Sequence, residues 1–115
     1  MVLIWYPKCG TCRKAKQWLD GRGASYDERL IKEENPSEEE LRKWHAMSGL
    51  PLKKFFNTSG LQYKALGLKD QLPTMSEDAQ YALLASDGML VKRPLLVGED
   101  FVLVGFKEAE WAERI

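Results

Sequence analysis

Residues 7–16 read PKCGTCRKAK and hold the only two cysteines of the chain, Cys9 and Cys12, with two residues between them. Three chemistries are open to such a pair: reversible dithiol–disulfide exchange, metal ligation, or inert burial. Positions three apart on a helix share a face, with Cβ atoms about 5–6 Å apart. A disulfide needs Cα atoms about 4.4–6.8 Å apart, so a pair at a helix start closes with little backbone movement. At or just before the first turn, Cys9 is the better exposed and lies nearest the free amides of Gly10, Thr11 and Cys12. Those amides and the positive end of the helix dipole favour a thiolate. Lys8, Arg13, Lys14 and Lys16 crowd the motif, and no acidic residue precedes Asp20. Together these predict a Cys9 thiol below the value of about 8.5 of free cysteine, with Cys9 as nucleophile and Cys12 as resolving thiol. Zinc requires four ligands. With no third cysteine and a single histidine, His45, in the middle of the chain, no metal site is expected. Inert burial stays open, since free cysteine behaves as a small hydrophobe, but the charged neighbours and the Gly-Thr spacer oppose it.

The elements that must position this pair follow from local patterning. Val2 to Tyr6 is a short apolar and aromatic run ended by Pro7, which suits a buried strand. A helix from about Thr11 to Arg22 turns Ala15, Trp18 and Leu19 inward and stops at Gly21 and Gly23. A second strand over Ser25–Leu30 completes a βαβ unit, so the first two strands should be parallel. Ser37 and Glu40 form a capping-box pattern opening a helix that carries Leu41, Trp44 and Ser48. Gly49-Leu50-Pro51 breaks it, and Leu52, Phe55 and Phe56 form a short helix ending near Asn57. Gly60 and Gly67 punctuate a third short segment with Leu61, Tyr63 and Leu66. A helix over about Ser76–Ser86 buries Ala79, Leu83 and Ala82 and ends at Asp87-Gly88. Pro94–Val97 and Phe101–Val104 flank Gly98-Glu99-Asp100 as a hairpin, and a last helix from about Lys107 carries Trp111 and Ile115. The architecture is α/β, a βαβ half and a ββα half around an all-helical insertion at about 36–90, in a single domain over 1–115. Trp44, Phe55, Phe56 and Tyr63 read as the insertion's core, Glu38-Glu39-Glu40 as complement to the helix dipole, and His45 as a solvated helix residue.

Composition bounds the partners. The 17 basic and 17 acidic residues cancel. That balance provides no electrostatic reason for general binding to nucleic acid or to an anionic membrane. No apolar run approaches the roughly 18 residues of a membrane span, and the start lacks a basic n-region and a cleavage site. A cytoplasmic protein is expected, in which a lone CxxC serves catalysis or metal binding better than structural stapling.

Three stretches in order, PKCGTCRKAKQWL, FFNTSGLQYKALGL and VKRPLLVGEDFVLVGF, resemble the arsenate reductase (ArsC)/Spx family of thioredoxin-like proteins over essentially the whole chain. The resemblance implies a thioredoxin-like fold and gives Arg93-Pro94 a role, with the proline cis and the arginine aimed at a bound oxyanion or thiolate. It implies catalytic Cys9, Cys12 and Arg93, with Gly10, Thr11 and Pro94 at the substrate. No bound cofactor is implied; glutathione or a thioredoxin or glutaredoxin would serve as external reductant. Glutathione-dependent arsenate reductases carry serine where this chain has Cys12, and two further arginines. Here Asn57 and Val104-Gly105-Phe106 occupy those places. Spx-like regulators of RNA polymerase do carry CxxC here, as a redox switch, and continue past the last helix with a charged tail, whereas this sequence stops at Ile115. The expected activity is thiol–disulfide oxidoreduction. Arsenate reduction is the enzymatic alternative, and redox sensing with RNA polymerase as partner is the regulatory one.

Overall fold

Val2-Leu3-Ile4-Trp5 has no polar face, and a strand with that pattern needs cover on both sides. In the computed structural model, which describes residues 1–115, it forms β1 (Val2–Trp5), with Leu3 and Ile4 wholly buried. Helix α1 (Gly10–Gly21) carries the chain across to β2 (Asp27–Leu30), which pairs parallel to β1 with Val2 opposite Asp27. Between β2 and β3 the chain is helical: α2 (Glu38–Ser48), a 3-10 turn (Leu52–Phe55), α3 (Leu61–Ala65), α4 (Leu68–Gln71) and α5 (Glu77–Ser86). The chain returns to the sheet as β3 (Leu95–Val97), antiparallel to β1, and β4 (Val102–Val104), antiparallel to β3. It closes with α6 (Glu108–Ala112). The sheet order β2-β1-β3-β4 is the thioredoxin-like arrangement with a helical insertion.

Alternation along β1 splits the core into two layers. Leu3 packs with Leu96, Ala15, Leu19 and Trp111 under α1 and α6. Ile4 packs with Leu95 and the insertion residues Leu41, Trp44, Phe55 and Phe56. Helix α2 begins as its sequence predicts. Ser37 Oγ accepts from the Glu40 amide, and the Glu40 carboxylate accepts from the Ser37 amide. The same carboxylate also receives both terminal nitrogens of Arg29, at 2.6 and 2.9 Å, which pins α2 to β2. Glu40 therefore does more than complement a dipole.

Several expectations are corrected. β2 begins at Asp27, not Ser25. Val97 pairs with Val102, so the hairpin connection is four residues, and Phe101 lies in the turn against Gly98 rather than in the strand. On α5 the inner face is Tyr81 and Leu84; Leu83 is only half-buried, and Ala79 and Ala82 are exposed. A helix rich in small residues offers two plausible stripes, and the larger side chains take the core because they remove more apolar area from water. His45 is not a solvated residue: its ring packs edge-on to Phe55, and its Nδ1 meets the Tyr81 hydroxyl.

Candidate active site

Strand β1 delivers Tyr6-Pro7-Lys8 to the start of α1, where the Cys9 amide donates to Tyr6 O at 3.0 Å. Cys9 is the N-cap of α1 in extended conformation, and its carbonyl accepts the first helical bond from Arg13 at 3.1 Å. Its side chain is half-buried. Cys12, one turn on, is fully buried on the face that also carries Ala15 and Leu19. The two thiols are unbridged.

The electrostatics differ in sign for the two sulfurs. Burial alone would raise the Cys9 thiol. The Cys12 amide and thiol, the Arg93 guanidinium and the Thr11 amide outweigh that burial and bring Cys9 below its ordinary value. Burial, with the Cys9 sulfur as neighbour, pushes the Cys12 thiol up to about 12 against the weaker pull of the Tyr6 backbone and Arg93. The direction expected for Cys9 is therefore found, with the Cys12 and Thr11 amides and Arg93 among its causes and the flanking basic residues absent from them. The basic flank contributes little: Lys16 is held by Asp20, Tyr26 and Glu28 at 3.2, 3.1 and 3.5 Å, and the Arg13 guanidinium donates to Pro7 O at 2.9 Å. The cation that acts on Cys9 is Arg93, brought from the far end of the insertion.

Arg93 precedes a cis peptide bond to Pro94. Its guanidinium lies over the Tyr6 ring, 5.2 Å from the centroid, and one terminal nitrogen reaches Met89 O at 3.4 Å. Its Nε is buried with no hydrogen-bond partner. A buried, unpartnered donor on a permanent cation is costly unless an anion completes it.

Cys9, Thr11 and Arg93 share a cavity of about 590 Å³. No acidic residue lines it; Lys92 and Lys107 add positive charge beside Arg93. Gly10 is the first residue of α1, between the cavity-lining Cys9 and Thr11, and buried Pro94 immediately precedes β3. Asn57 stands in the wall where the resemblance expects an arginine, and its side chain folds back toward Gly60 within its own loop. Gly105 and Phe106 occupy the second such place. Of the lysines considered as substitutes, Lys107 lines this cavity, whereas Lys53 and Lys54 line a neighbouring groove. Lys92 escaped the sequence reading. Its amide donates to Phe55 O at 2.7 Å beside a bridge between Phe56 and Val91, a pairing of distant segments that local spacing does not announce.

The ArsC family model matches residues 4–114. An uncharacterized protein of Bacillus subtilis, YusI, is 57% identical over 99% of this chain and 97% of its own length. The global transcriptional regulator Spx of Staphylococcus haemolyticus is 30% identical over 96% of this chain and 82% of its own. The crystal structure of a possible arsenate reductase from Streptococcus mutans superposes with a TM-score of 0.91 at 50% identity, covering 99% of this chain and 97% of that one. With a cysteine at the start of α1 facing Arg93 across an acid-free cavity, and with a match running from the first strand to the last helix, the chain belongs to the ArsC family.

Proposed function

We propose that the chain is a thiol–disulfide oxidoreductase in which Cys9 is the nucleophile and Cys12 the resolving thiol. The observation that carries this reading is the opposed electrostatics of one pair: a lowered, accessible Cys9 beside a raised, buried Cys12. The Cys9 thiolate attacks one sulfur of an oxidised substrate. A Cys9–substrate S–S bond forms, and the other substrate sulfur leaves with the electron pair. Until then Cys12 keeps its proton, because burial and the Cys9 sulfur both disfavour its charge. Once Cys9 is consumed, its negative charge is gone, and the part of the Cys12 shift that came from it goes too. Cys12 then attacks the Cys9 sulfur, expels the substrate thiolate and leaves a Cys9–Cys12 disulfide. An external thiol, such as glutathione or a thioredoxin or glutaredoxin, returns the dithiol. Arg93, with the amides of Gly10 and Thr11, holds the anionic centre.

The same two sulfurs would reduce arsenate: the Cys9 sulfur would bond to As(V) as hydroxide leaves arsenic, and Cys12 would then bond to the Cys9 sulfur, breaking the S–As bond with its electron pair left on arsenic as As(III). Asn57 and Gly105 in place of two arginines make disulfide exchange the better-supported reading, since only Arg93 remains for bidentate grip. The likeness to Spx favours one second reading, oxidation sensing through the same disulfide with RNA polymerase as partner; co-purification with polymerase from oxidised but not reduced protein is its expected signature.

The experiment is single-turnover reaction with a chromogenic disulfide, followed by intact mass, in wild type, Cys9→Ser and Cys12→Ser, with arsenate turnover measured alongside. Cys9→Ser should be silent, and Cys12→Ser should accumulate a stable mixed disulfide on Cys9. Multiple turnover by Cys12→Ser at the wild-type rate would remove the resolving role.

A further inference from the structure

A second cavity, of about 730 Å³, adjoins the first and shares Lys92, Val104 and Lys107 with it. It lies along β4, the end strand of the sheet, between the turn after α2 and helix α6. Six cations line it: Lys53, Lys54, Lys69, Lys92, Lys107 and Arg114, against only Glu110 and Glu113. The whole chain is neutral, so an excess of four positive charges here is a concentration, not a background. None of these six has a carboxylate within 4.0 Å, so their charge is not neutralised by a close ion pair. The groove also has apolar walls, with Phe56, Tyr63 and Val102 lining it and Leu50 37% exposed at its rim.

We infer that this groove receives an acidic peptide segment carrying apolar side chains, and that it feeds the segment's disulfide to Cys9. The proposal rests on the thiol-exchange reading for its chemistry and adds the substrate class, a protein disulfide flanked by acidic residues. Unpaired lysines around an apolar floor fit carboxylates alternating with hydrophobic side chains. A nucleic acid fits less well, because a phosphate backbone calls for an extended basic face and the charges of the chain as a whole cancel. The shared lysines make the path continuous. A peptide seated along β4 leads past Lys92 and Lys107 into the cavity that holds Cys9. In the step itself the Cys9 thiolate forms a bond to the peptide sulfur, and the partner sulfur of that disulfide leaves as thiolate.

The test uses the full chain and three peptides with one aromatic mixed disulfide each, flanked by acidic, neutral or basic residues. Stopped-flow release of the aromatic thiolate gives second-order rate constants at low and high salt. Electrostatic steering predicts that the acidic peptide reacts at least roughly tenfold faster than the neutral one at low salt, with the advantage fading at high salt. In Lys53→Glu/Lys69→Glu the acidic-to-neutral ratio should fall to near or below one, and Lys53→Arg/Lys69→Arg should keep it. Equal rates for the three peptides, or a ratio that survives charge reversal, overturns the proposal. A second arm separates it from the thiol chemistry: fluorescence anisotropy with a labelled acidic peptide bearing serine in place of cysteine. Binding that the Glu variant abolishes supports the groove even if no peptide reacts with Cys9. Failure of that peptide to bind, or binding of a labelled single-stranded RNA in its place, refutes it.

Discussion

Two glycines of one site should respond to the same substitution with opposite signs. Gly105 lines the Cys9 cavity with φ of +74°, its amide donates to Pro94 O at 2.9 Å, and its carbonyl accepts from Trp111 Nε1 at 3.0 Å. Both bonds hold the backbone in place, so Gly105→Ala cannot relax to negative φ without losing them. A left-handed L-residue costs roughly 1–2 kcal/mol, while the smaller entropy of the unfolded chain returns about 0.4–1 kcal/mol. A Cβ at Gly105 would meet Lys92 Cε at 3.2 Å, a contact that a flexible lysine can relieve. The net is a loss of about 0.5–1.5 kcal/mol. Gly10, at the start of α1, has no positive φ, and a Cβ there would meet nothing closer than Arg13 at 3.8 Å. Only the unfolded-state effect applies, and Gly10→Ala should gain about 0.4–1 kcal/mol. Equilibrium urea unfolding reads both. With an m-value of about 1–3 kcal/mol/M the two midpoints should lie roughly 1 M apart, wild type between them. A Gly105→Ala midpoint at or above wild type would refute the reasoning, because it would mean that the backbone there is free to change its conformation.

Two further outcomes follow from the charges. Arg93→Met removes the cation that lowers the Cys9 thiol, so the pH profile of Cys9 alkylation should move to higher pH while the plateau rate stays similar; an unmoved profile would return the credit to the helix amides alone. The two nitrogens of Arg29 hold Glu40 down to about 2 from the ordinary 4.5. A lowered carboxylate stabilises the fold fully above its unfolded value, and that gain is lost as pH falls through the folded one. With Glu40 37% exposed, screening limits the gain to about 1 kcal/mol. Between pH 7 and pH 2, wild type should therefore lose about that much more stability than Glu40→Gln, which keeps a capping acceptor without the charge. Parallel losses in thermal melts across that range would contradict it.

Much of the fold was legible because its strongest signals are local. The unbroken apolar run of β1, the Ser37–Glu40 box and the two apolar runs around Gly98 each state an element within a few residues. The errors fall where the deciding contact is remote. Phe101 leaves its strand to cover Gly98, Tyr81 turns inward to meet His45, and α5 follows them. At the candidate site, residue types and the CxxC spacing placed Cys9 at a helix start, and the family resemblance supplied Arg93. The charges adjacent in sequence misled, because Lys16 and Arg13 have nearer partners. Lys92, and the groove it shares with the cysteine cavity, come from pairing Phe55–Asn57 with Leu90–Lys92, which no local pattern encodes.

Cys12 is as deeply buried as Leu19, and the two sit on one face of α1. On the proposed chemistry this side chain belongs at once to the protein's interior and to its reaction. Oxidation and unfolding then form a closed thermodynamic cycle: whatever makes the packed dithiol more stable than the packed disulfide must raise the oxidising tendency of the pair by the same free energy. Substitutions at Ala15 or Leu19, out of reach of any substrate, would tune how readily the pair accepts electrons. The interior under α1 would act as the setting of a redox poise as well as the support of a helix.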